Sequence, residues 1–512
     1  MTANPYSVLH MSVYSVHEHG GKGVIVSAET SLTNSLPSIV LVGFAGKSLD
    51  ESRERIRNAF SSEKLTLPRK RITVNVSPSD VPKDGAHYDL AIALSIMQAG
   101  KLVKTPTTSP IVLGELGLDG SVKPVRGILG KLLCAIGHGH TKFILPAANL
   151  SQASLLEGIE VFAVSSLKQL HTAFQKNPDL SFRNTSSLPR PATTKKIADI
   201  VDFNEVIGQQ RAKRALEIAA AGGHNVLLNG PPGVGKSMLA KATAGIMPEP
   251  GQDEVISITH LHSLVSDNVT DLITTRPFRS PHHSSSDVSI IGGGQRPKPG
   301  EVSLAHGGIL FLDELPEFRR GTIESLRQPL EDGTVTVARA KDTATYPAKF
   351  ILVGTQNPCP CGFYGSTKMC TCSPIELQRY QKKLSGPILD RIDIHVTVDD
   401  VKHENLLGKK TDGESSSAIR QRISSARRHQ AKRFDGSKQN AHMSNRDIKS
   451  LCIIESGAKE LLDTAAERLQ ISARVYMKII KLAQTIADLE GSDTVTKAHI
   501  AEALQYRPAN KE

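Results

Sequence analysis

The chain has 512 residues, which is too many for one hydrophobic core and predicts two to four domains. Apolar and charged fractions of 39% and 22% are ordinary for a globular protein, and no apolar run is long enough to span a membrane. A net charge of +11 favours a polyanionic partner such as nucleic acid, with solubility as the alternative, while 4% aromatic residues and no Trp argue against an aromatic base-stacking groove.

Mixed strand and helix patterns predict an α+β or α/β N-terminal domain over residues 1–185. The predicted strands cover residues 24–30, 38–43 and 71–76, and the predicted helices cover residues 50–60 and 89–97. This region carries no nucleotide-binding fingerprint. Residues 186–200 are rich in Ser, Pro and Thr, which is typical of an interdomain linker.

Two segments of this domain resemble the proteolytic domain of Lon proteases. They are Pro82-Lys-Asp-Gly-Ala-His87 and residues 122–133. The resemblance aligns Lys131 with the Lys general base of Lon but puts His87 where Lon has its Ser nucleophile. Without that hydroxyl, a Ser–Lys dyad has nothing to activate. We therefore expect a Lon-protease-like domain, of the ribosomal S5 domain 2-like fold, without peptidase activity.

A phosphate-binding loop opens the next module, predicted over residues 201–400. Its sequence, Gly230-Pro231-Pro232-Gly233-Val234-Gly235-Lys236-Ser237, lies between a short apolar strand and a helix start. Glycines let backbone N–H groups surround phosphate oxygens, and the helix N-terminus adds partial positive charge. Lys236 is predicted to reach the β- and γ-phosphates of ATP, and Ser237 to help hold Mg²⁺.

Two further apolar strands end in polar residues. Residues 308–314 end in Asp313 and Glu314, predicted to coordinate Mg²⁺ and to act as general base toward water, respectively. Residues 349–357 end in Asn357, the position of a polar γ-phosphate sensor in AAA+ ATPases. A helical stretch then leads to Arg391, which resembles the arginine finger of that class, supplied across a subunit boundary. A local ion pair with Asp390 or Asp393 is the alternative.

Two segments of this module are predicted to be exposed. Residues 276–301, rich in Gly and Pro and carrying His282 and His283, are predicted to form a mobile loop. Residues 334–339 and 343–346 predict a hairpin with Arg339 and Lys341 near its tip. In a ring, that hairpin could hold DNA phosphates, and a surface hairpin without this role is the alternative.

Four of the six cysteines are clustered, which fits a metal site better than a secreted disulfide framework. Cys359, Cys361, Cys370 and Cys372 could hold a structural Zn²⁺ tetrahedrally, with free or redox-labile cysteines as the alternative. The N-terminus lacks a basic-then-apolar signal sequence, and a cytoplasmic location is expected.

The C-terminal part is predicted to be helical. Residues 401–440 comprise a polar linker and a basic helix at 419–434, whose charges suit DNA contact and simple solvation equally. Residues 441–512 predict a helical lid, with helices at 445–451, 458–468, 473–489 and 496–504. Arg474 matches a second AAA+ sensor position, and a structural ion pair is the alternative.

Together these motifs resemble the ComM/YifB family of magnesium-chelatase-like AAA+ ATPases, over essentially the whole chain. The segments that carry the resemblance include the phosphate loop and residues 276–283, 299–306, 311–318, 357–362, 385–393 and 485–489. The resemblance implies an α/β protein with a parallel-sheet AAA+ core and a helical lid. It also implies a hexameric ring that hydrolyses ATP with Mg²⁺.

The same resemblance implies a DNA helicase that promotes branch migration while single-stranded DNA is integrated during natural transformation and homologous recombination. Single-stranded and branched DNA, further copies of the chain and recombination proteins are then its partners, with no membrane. Two other functions stay open on the residues alone. One is a chelatase-like remodeller acting on a protein, and the other is a non-hydrolysing scaffold, which the intact Lys236, Asp313 and Glu314 disfavour.

Overall fold

A computed structural model provides the structure of this chain. It describes residues 12–508 except 20–21, 44–47, 80–82, 84, 188–200, 267, 269, 295–296, 340–341, 367, 385, 401–412 and 437. The predicted linker at 186–200 and the polar start of the 401–440 region therefore lie largely outside the described residues. No helix within the described ranges is both long enough and apolar enough to cross a lipid bilayer.

The strands, in chain order, are β1 Ser12–His19, β2 Lys22–Thr33, β3 Ser38–Val42, β4 Arg71–Ser77, β5 Ile111–Val112, β6 Glu115–Leu116, β7 Val122–Lys123, β8 Lys142–Pro146, β9 Glu160–Val164, β10 Arg183–Asn184, β11 Val226–Asn229, β12 Phe278–Arg279, β13 Gly292–Gly293, β14 Lys298–Pro299, β15 Ile309–Leu312, β16 Thr334–Arg339, β17 Asp342–Pro347, β18 Ile351–Gln356, β19 Ile394–Thr397, β20 Ile453–Ile454 and β21 Thr494–Val495. The helices are α1 Ser48–Ser62, α2 Asp89–Ala99, α3 Ile128–Gly137, α4 Leu150–Ala153, α5 Leu167–Lys176, α6 Gln210–Gly222, α7 Lys236–Ile246, α8 Gln252–Ser263, α9 Asp287–Ile291, α10 Glu301–Leu304, α11 Arg320–Ser325, α12 Arg327–Asp332, α13 Pro374–Gln381, α14 Gly386–Leu389, α15 Ser416–Phe434, α16 Asn445–Leu451, α17 Ser456–Arg468, α18 Ala473–Glu490 and α19 Lys497–Leu504.

The chain divides into two units. The first contains the described residues of Met1–Thr194 together with Gln252–Ile273, and the second contains those of Lys195–Gly251 and Thr274–Glu512. The sequence predicted a continuous ATPase domain at 201–400, whereas the structure assigns α8 and the residues after it to the N-terminal unit. Helix α8 packs against α3, and its Ile256 packs against the core that contains α3, which explains why the segment belongs there.

The N-terminal unit is built on an eight-stranded mixed sheet, ordered β10-β9-β8-β5-β1-β2-β4-β3. Alternate residues of a strand point to opposite faces of a sheet, so the sheet contributes to two cores. On one face Ile144 joins the core that contains α1 and α2, while Phe143 beside it joins the core that contains α3. Helix α2 is buried along almost its whole length because it packs into the first of these cores, and its polar Asp89, Ser95 and Gln98 are buried with it.

The second unit contains a five-stranded sheet, ordered β12-β15-β18-β11-β19, in which every neighbouring pair is parallel. Strand β15 reads Ile-Leu-Phe-Leu and is buried at all four residues, as parallel strands covered on both faces must be. The carboxyl ends of these strands meet at one edge, where ligands of open parallel sheets bind.

Helix α15 is part of the second unit's core and does not act as a linker. Its buried residues Ile419, Ile423, Ala426 and Phe434 recur at helical spacing and join the core that contains β11 and α7. The 401–440 prediction therefore missed this packing, because the helix carries so many charges that its apolar stripe is inconspicuous. Helices α16 to α19 correspond to the four predicted C-terminal helices, and they contribute apolar residues to the same core.

Residues 276–301 are more ordered than predicted. Strand β12 pairs with β15, and α9, β13 and β14 follow it. Arg276 is buried and donates to the backbone carbonyls of Pro248 and Gly307, while Arg279 forms a bidentate pair with Glu301 at 2.6 and 2.7 Å. The prediction did not include this secondary structure or these two anchoring arginines.

Candidate functional site

The phosphate loop connects the end of β11 to the start of α7. Gly233 and Gly235 adopt φ values of 87° and 91°, a region that glycine enters without steric cost. A Cβ at Gly230 would lie 2.3 Å from the Val398 carbonyl oxygen, so this position also requires glycine. The loop therefore presents backbone N–H groups and a helix N-terminus at the carboxyl edge of the sheet, as a phosphate cradle requires.

Lys236, the first residue of α7, points its ammonium back over this loop. The Nζ atom donates to the carbonyls of Gly230 and Pro231 at 2.5 and 2.8 Å and to Asn357 Oδ1 at 3.0 Å. Burial lowers the pKa of Lys236, and the nearby carboxylates of Asp313 and Glu314 oppose that shift. The ammonium thus lies between the loop and the predicted sensor.

The acidic residues after β15 face the same place. Ser237 Oγ donates to Asp313 Oδ2 at 3.0 Å, and Thr355 Oγ1 donates to Asp313 Oδ1 at 2.6 Å. Glu314 has φ of 52°, and its backbone N–H donates to Thr355 Oγ1 at 2.8 Å. Hydroxyl and carboxylate oxygens are the ligands that Mg²⁺ prefers, so the Ser237–Asp313 pair fits that ion.

Register explains why these residues meet. Asn229 pairs with Gln356 and Leu312 with Gly354, so β11, β15 and β18 end at nearly the same level. The structure therefore brings Lys236, Ser237, Asp313, Glu314 and Asn357 to one edge. Sequence reasoning missed Thr355, although a buried polar residue inside an apolar strand was a usable signal.

Arg391 and Arg474 lie together near the amino-terminal ends of the sheet's strands, opposite the end that carries the phosphate loop. Arg391 forms an ion pair with Glu331, and Arg474 approaches the same carboxylate at 3.5 Å. The hydrogen bond from Arg391 holds the pKa of Glu331 below its ordinary value. Asn225, which precedes β11, donates to the Arg391 carbonyl at 3.0 Å.

The position of Asn225 shows how far the two arginines lie from the phosphate loop. It lies at the amino end of β11 and Gly230 at the carboxyl end, so a strand of this length puts about 16 Å between them. The arginines therefore lie far from the phosphate loop of their own chain. Sequence reasoning missed Glu331, because no local pattern marks a carboxylate that pairs across the fold.

Strands β16 and β17 form the hairpin for which DNA contacts were predicted. The hairpin is present, with Arg339 opposite Asp342, but Lys341 and the side chain of Arg339 lie outside the described residues. On α15, Arg428 donates to the Ser424 carbonyl of the same helix at 3.4 Å, and the four other arginines bind residues outside the helix. Their partners are the Gly245 carbonyl for Arg420, Glu217 and Glu414 for Arg422, the Ala220 carbonyl for Arg427 and Asp488 for Arg433.

The four clustered cysteines are drawn together at the loop that follows Asn357. Cys359 Sγ lies 3.3 Å from Cys361 Sγ and 3.7 Å from Cys370 Sγ, and all four sulfur atoms lie within 4.8 Å of one another. Within the described ranges, this is the one group of His, Cys, Asp or Glu residues with the spacing of a metal site. Backbone N–H donors from Phe363 and Thr371 lower the pKa of Cys361 to about 5, which favours a thiolate.

In the N-terminal unit, Lys131 is buried and His87 is half-buried. Lys131 Nζ donates to the Arg126 carbonyl at 3.1 Å, and His87 Nε2 contacts the Val16 carbonyl at 3.2 Å. Burial lowers the pKa of Lys131. Desolvation of the His87 ring lowers the pKa of His87, and the nearby positive charge of Lys131 lowers it further. The pair holds two nitrogen bases and no hydroxyl nucleophile.

Three family models match the chain. The one described as "Magnesium chelatase, subunit ChlI" matches residues 202–406, "Subunit ChlI of Mg-chelatase" matches 28–149 and "Magnesium chelatase, subunit ChlI C-terminal" matches 413–507. The chain is 38% identical over 508 residues to the uncharacterized protein YifB of Escherichia coli, covering 98% of each chain. It is 37% identical over 497 residues to Competence protein ComM of Haemophilus influenzae, covering 97% of each. The chain belongs to the ComM/YifB family of magnesium-chelatase-like AAA+ proteins.

This membership confirms the predicted fold class, a mixed α/β protein with a parallel-sheet AAA+ core and a helical C-terminal region. A shorter similarity is to Lon protease 2 of Herpetosiphon aurantiacus, at 29% identity over 170 residues. It covers 30% of this chain and 21% of that protein. The ComM/YifB relatives, by contrast, match both units.

Proposed function

We propose that this protein is an ATP-hydrolysing DNA motor that drives branch migration. The observation that carries the proposal is the convergence of Lys236, Ser237, Asp313, Glu314 and Asn357 at the carboxyl edge of the parallel sheet. Residues of the types that bind phosphates, hold Mg²⁺ and activate water lie together at this edge. The site supports ATP hydrolysis as the reaction, whereas the proposal that DNA is the substrate has separate support.

Each residue of the edge has a task. The N–H groups of the phosphate loop and the Lys236 ammonium bind the phosphates of ATP, and Ser237 and Asp313 hold Mg²⁺, which neutralises charge on the phosphate oxygens when bound. Glu314 takes the proton of the attacking water, and Asn357 orients that water near the γ-phosphate. Thr355 holds Asp313 and Glu314 in position for these roles through its hydrogen bonds with the Asp313 carboxylate and the Glu314 backbone N–H.

Arg391 and Arg474 act on the ATP of a neighbouring copy of the chain. Both arginines lie about one strand length from the phosphate loop of their own chain, which supports this arrangement. Head-to-tail contacts of this kind close into rings, and a homohexamer is the ring we propose. In the ring, each arginine pair neutralises charge on the transferring phosphoryl group next door.

DNA is the proposed substrate for two reasons. The net charge of +11 favours a polyanion, and the similar Haemophilus protein is named a competence protein. We propose that the motor moves single-stranded and branched DNA during natural transformation and homologous recombination, alongside recombination proteins in the cytoplasm. Arg339 and Lys341, at the tip of the hairpin, are the proposed phosphate contacts.

A chelatase-like remodeller acting on a protein partner is the second candidate. The chelatase descriptions of all three matched family models favour it. The two functions differ in what stimulates ATP hydrolysis. Steady-state ATPase rates should therefore be measured without DNA, with single-stranded DNA and with a branched DNA junction.

For a DNA motor we expect DNA to raise the rate several-fold, with a dependence on salt that reflects phosphate contacts. An Arg339→Ala/Lys341→Ala variant should lose that stimulation but keep the basal rate. Rapid hydrolysis that no DNA alters would reject the motor in favour of the remodeller.

The cofactors proposed are ATP, Mg²⁺ and a structural Zn²⁺ on the cysteine cluster. Tetrahedral zinc with Zn–S bonds of about 2.3 Å requires sulfur atoms about 3.8 Å apart. Three of the six separations between sulfur atoms are 3.3 to 3.7 Å and all lie within 4.8 Å, which supports that geometry, and four protein thiolates leave no open position for catalysis.

A further inference from the structure

The cysteine loop is attached to the ATP site at its first residue. Cys359 follows Asn357 by two positions, and its side chain is fully buried. Asn357 in turn accepts the hydrogen bond from Lys236 at 3.0 Å. The first sulfur of the cluster is therefore anchored close to the side chain that contacts the catalytic lysine.

A second contact joins the loop to the phosphate cradle. Gly362 has φ of 87°, and a Cβ there would lie 2.6 Å from Pro232 Cδ. Pro232 belongs to the phosphate loop, so the backbone at Gly362 packs directly on that loop. No larger residue fits at Gly362, for reasons of both conformation and space.

The cluster is what closes this loop. Between the end of β18 and the start of α13, the described residues form no helix or strand. Cys359 and Cys361 come from one end of the loop, and Cys370 and Cys372 come from the other. A single ion bound by all four sulfurs cross-links the two ends and fixes the backbone between them.

We propose that Zn²⁺ bound by Cys359, Cys361, Cys370 and Cys372 positions Asn357, so that metal occupancy controls the rate of ATP hydrolysis. The cysteines are positioning residues and do not contact nucleotide. The metal acts through Asn357, and the Gly362–Pro232 contact holds the same loop against the phosphate loop. This inference rests on the proposed ATPase activity and adds a regulatory metal to it.

The first test measures zinc content, nucleotide affinity and turnover in the full-length chain. The variants are Cys370→Ser/Cys372→Ser and, as a control, Cys452→Ser, whose sulfur lies outside the cluster. We expect one zinc per chain in the native protein and in the control, measured by plasma mass spectrometry. The double variant should hold none, with kcat reduced about 10–100-fold, the usual effect of losing an orienting contact, and a much smaller change in Kd for a fluorescent ATP analogue.

A second test asks whether the metal acts through the sensor. Asn357→Ala should be measured alone and combined with the two cysteine substitutions. If Zn²⁺ works by positioning Asn357, the combined variant loses little more kcat than the more damaging parent. Additive losses would overturn the inference, as would a zinc-free variant that turns over at the native rate.

Chelation covers the case in which the cysteine variant does not fold. Native protein stripped with a strong chelator should lose turnover and regain it with Zn²⁺ in the presence of unchanged Mg²⁺. Full turnover after complete removal of zinc would overturn the inference while leaving the ATPase proposal intact. A native, zinc-loaded protein that never hydrolyses ATP would instead reject the proposed function itself.

Discussion

Thr355 is the residue on which the geometry of the acidic pair depends. Its buried hydroxyl donates to Asp313 and accepts from the backbone N–H of Glu314. Glu314 adopts a left-handed conformation that a non-glycine residue enters at a steric cost. The threonine therefore stabilises a strained backbone at the point where the proposed general base emerges.

Thr355→Val tests this role because it keeps the shape of the side chain but removes the hydroxyl. We expect kcat for ATP hydrolysis to fall about 10-fold or more, since the two carboxylates lose a shared partner. Thr355→Ser is the matched control, because it keeps the hydroxyl. If the valine variant matched the serine variant in steady-state assays, the hydroxyl would have no part in the reaction.

At the scale of elements, α15 illustrates how a charged helix becomes a core helix. One face of the helix is apolar, and several of its arginines form hydrogen bonds or ion pairs with residues of the same unit. Arg433 forms the most buried of these pairs, donating to both carboxylate oxygens of Asp488, whose side chain has no exposed surface.

Removing that arginine should destabilise the second unit. Arg433→Met leaves the Asp488 carboxylate buried without its ion-pair partner, a change that costs about 3–5 kcal/mol. Arg428→Met is the control, because Arg428 is exposed on the same helix. We expect thermal unfolding to shift several degrees lower for Arg433→Met alone, and equal midpoints for the two variants would contradict the assignment.

The sequence predicted most helices and strands, and it predicted residues that meet at the carboxyl ends of the parallel strands, because apolar runs and glycine spacing are local signals. Strand β15 and its two carboxylates were identified from a single run of residues. Glu331, on helix α12, and Thr355, on strand β18, were missed because their partners come from distant parts of the chain. The anchoring contacts of residues 276–301 were missed because Arg276 finds its carbonyl partners 28 and 31 residues away in the chain.

At the scale of the whole molecule, the second unit is asymmetric. Its phosphate loop lies at one edge of the sheet, and the Arg391–Arg474–Glu331 group lies near the other. A ring of such units, placed head to tail, brings the arginines of one copy to the loop of the next. The proposed site is then incomplete in any single chain.

Mixing two inactive variants tests that incompleteness. Lys236→Ala lacks a working loop but keeps its arginines, and Arg391→Ala has the opposite defect. In a random ring of equal parts, about a quarter of the sites pair an intact loop with an intact arginine, so mixing should restore roughly that share of native ATPase activity.

The control for this experiment replaces Arg391→Ala with the Lys236→Ala/Arg391→Ala double variant. That mixture contains no intact loop and should remain inactive. Activity of the first mixture no greater than that of its separate components would show that Arg391 does not serve a neighbouring site.

Strand movement on a synthetic three-stranded DNA junction, with ATP and Mg²⁺, tests the motor most directly. Native protein should be compared with Glu314→Gln, which retains the phosphate loop but lacks the general base. We predict ATP-dependent branch migration by the native protein and none by the variant. Robust ATP hydrolysis by the native protein, with neither strand movement nor stimulation by DNA, would contradict the account.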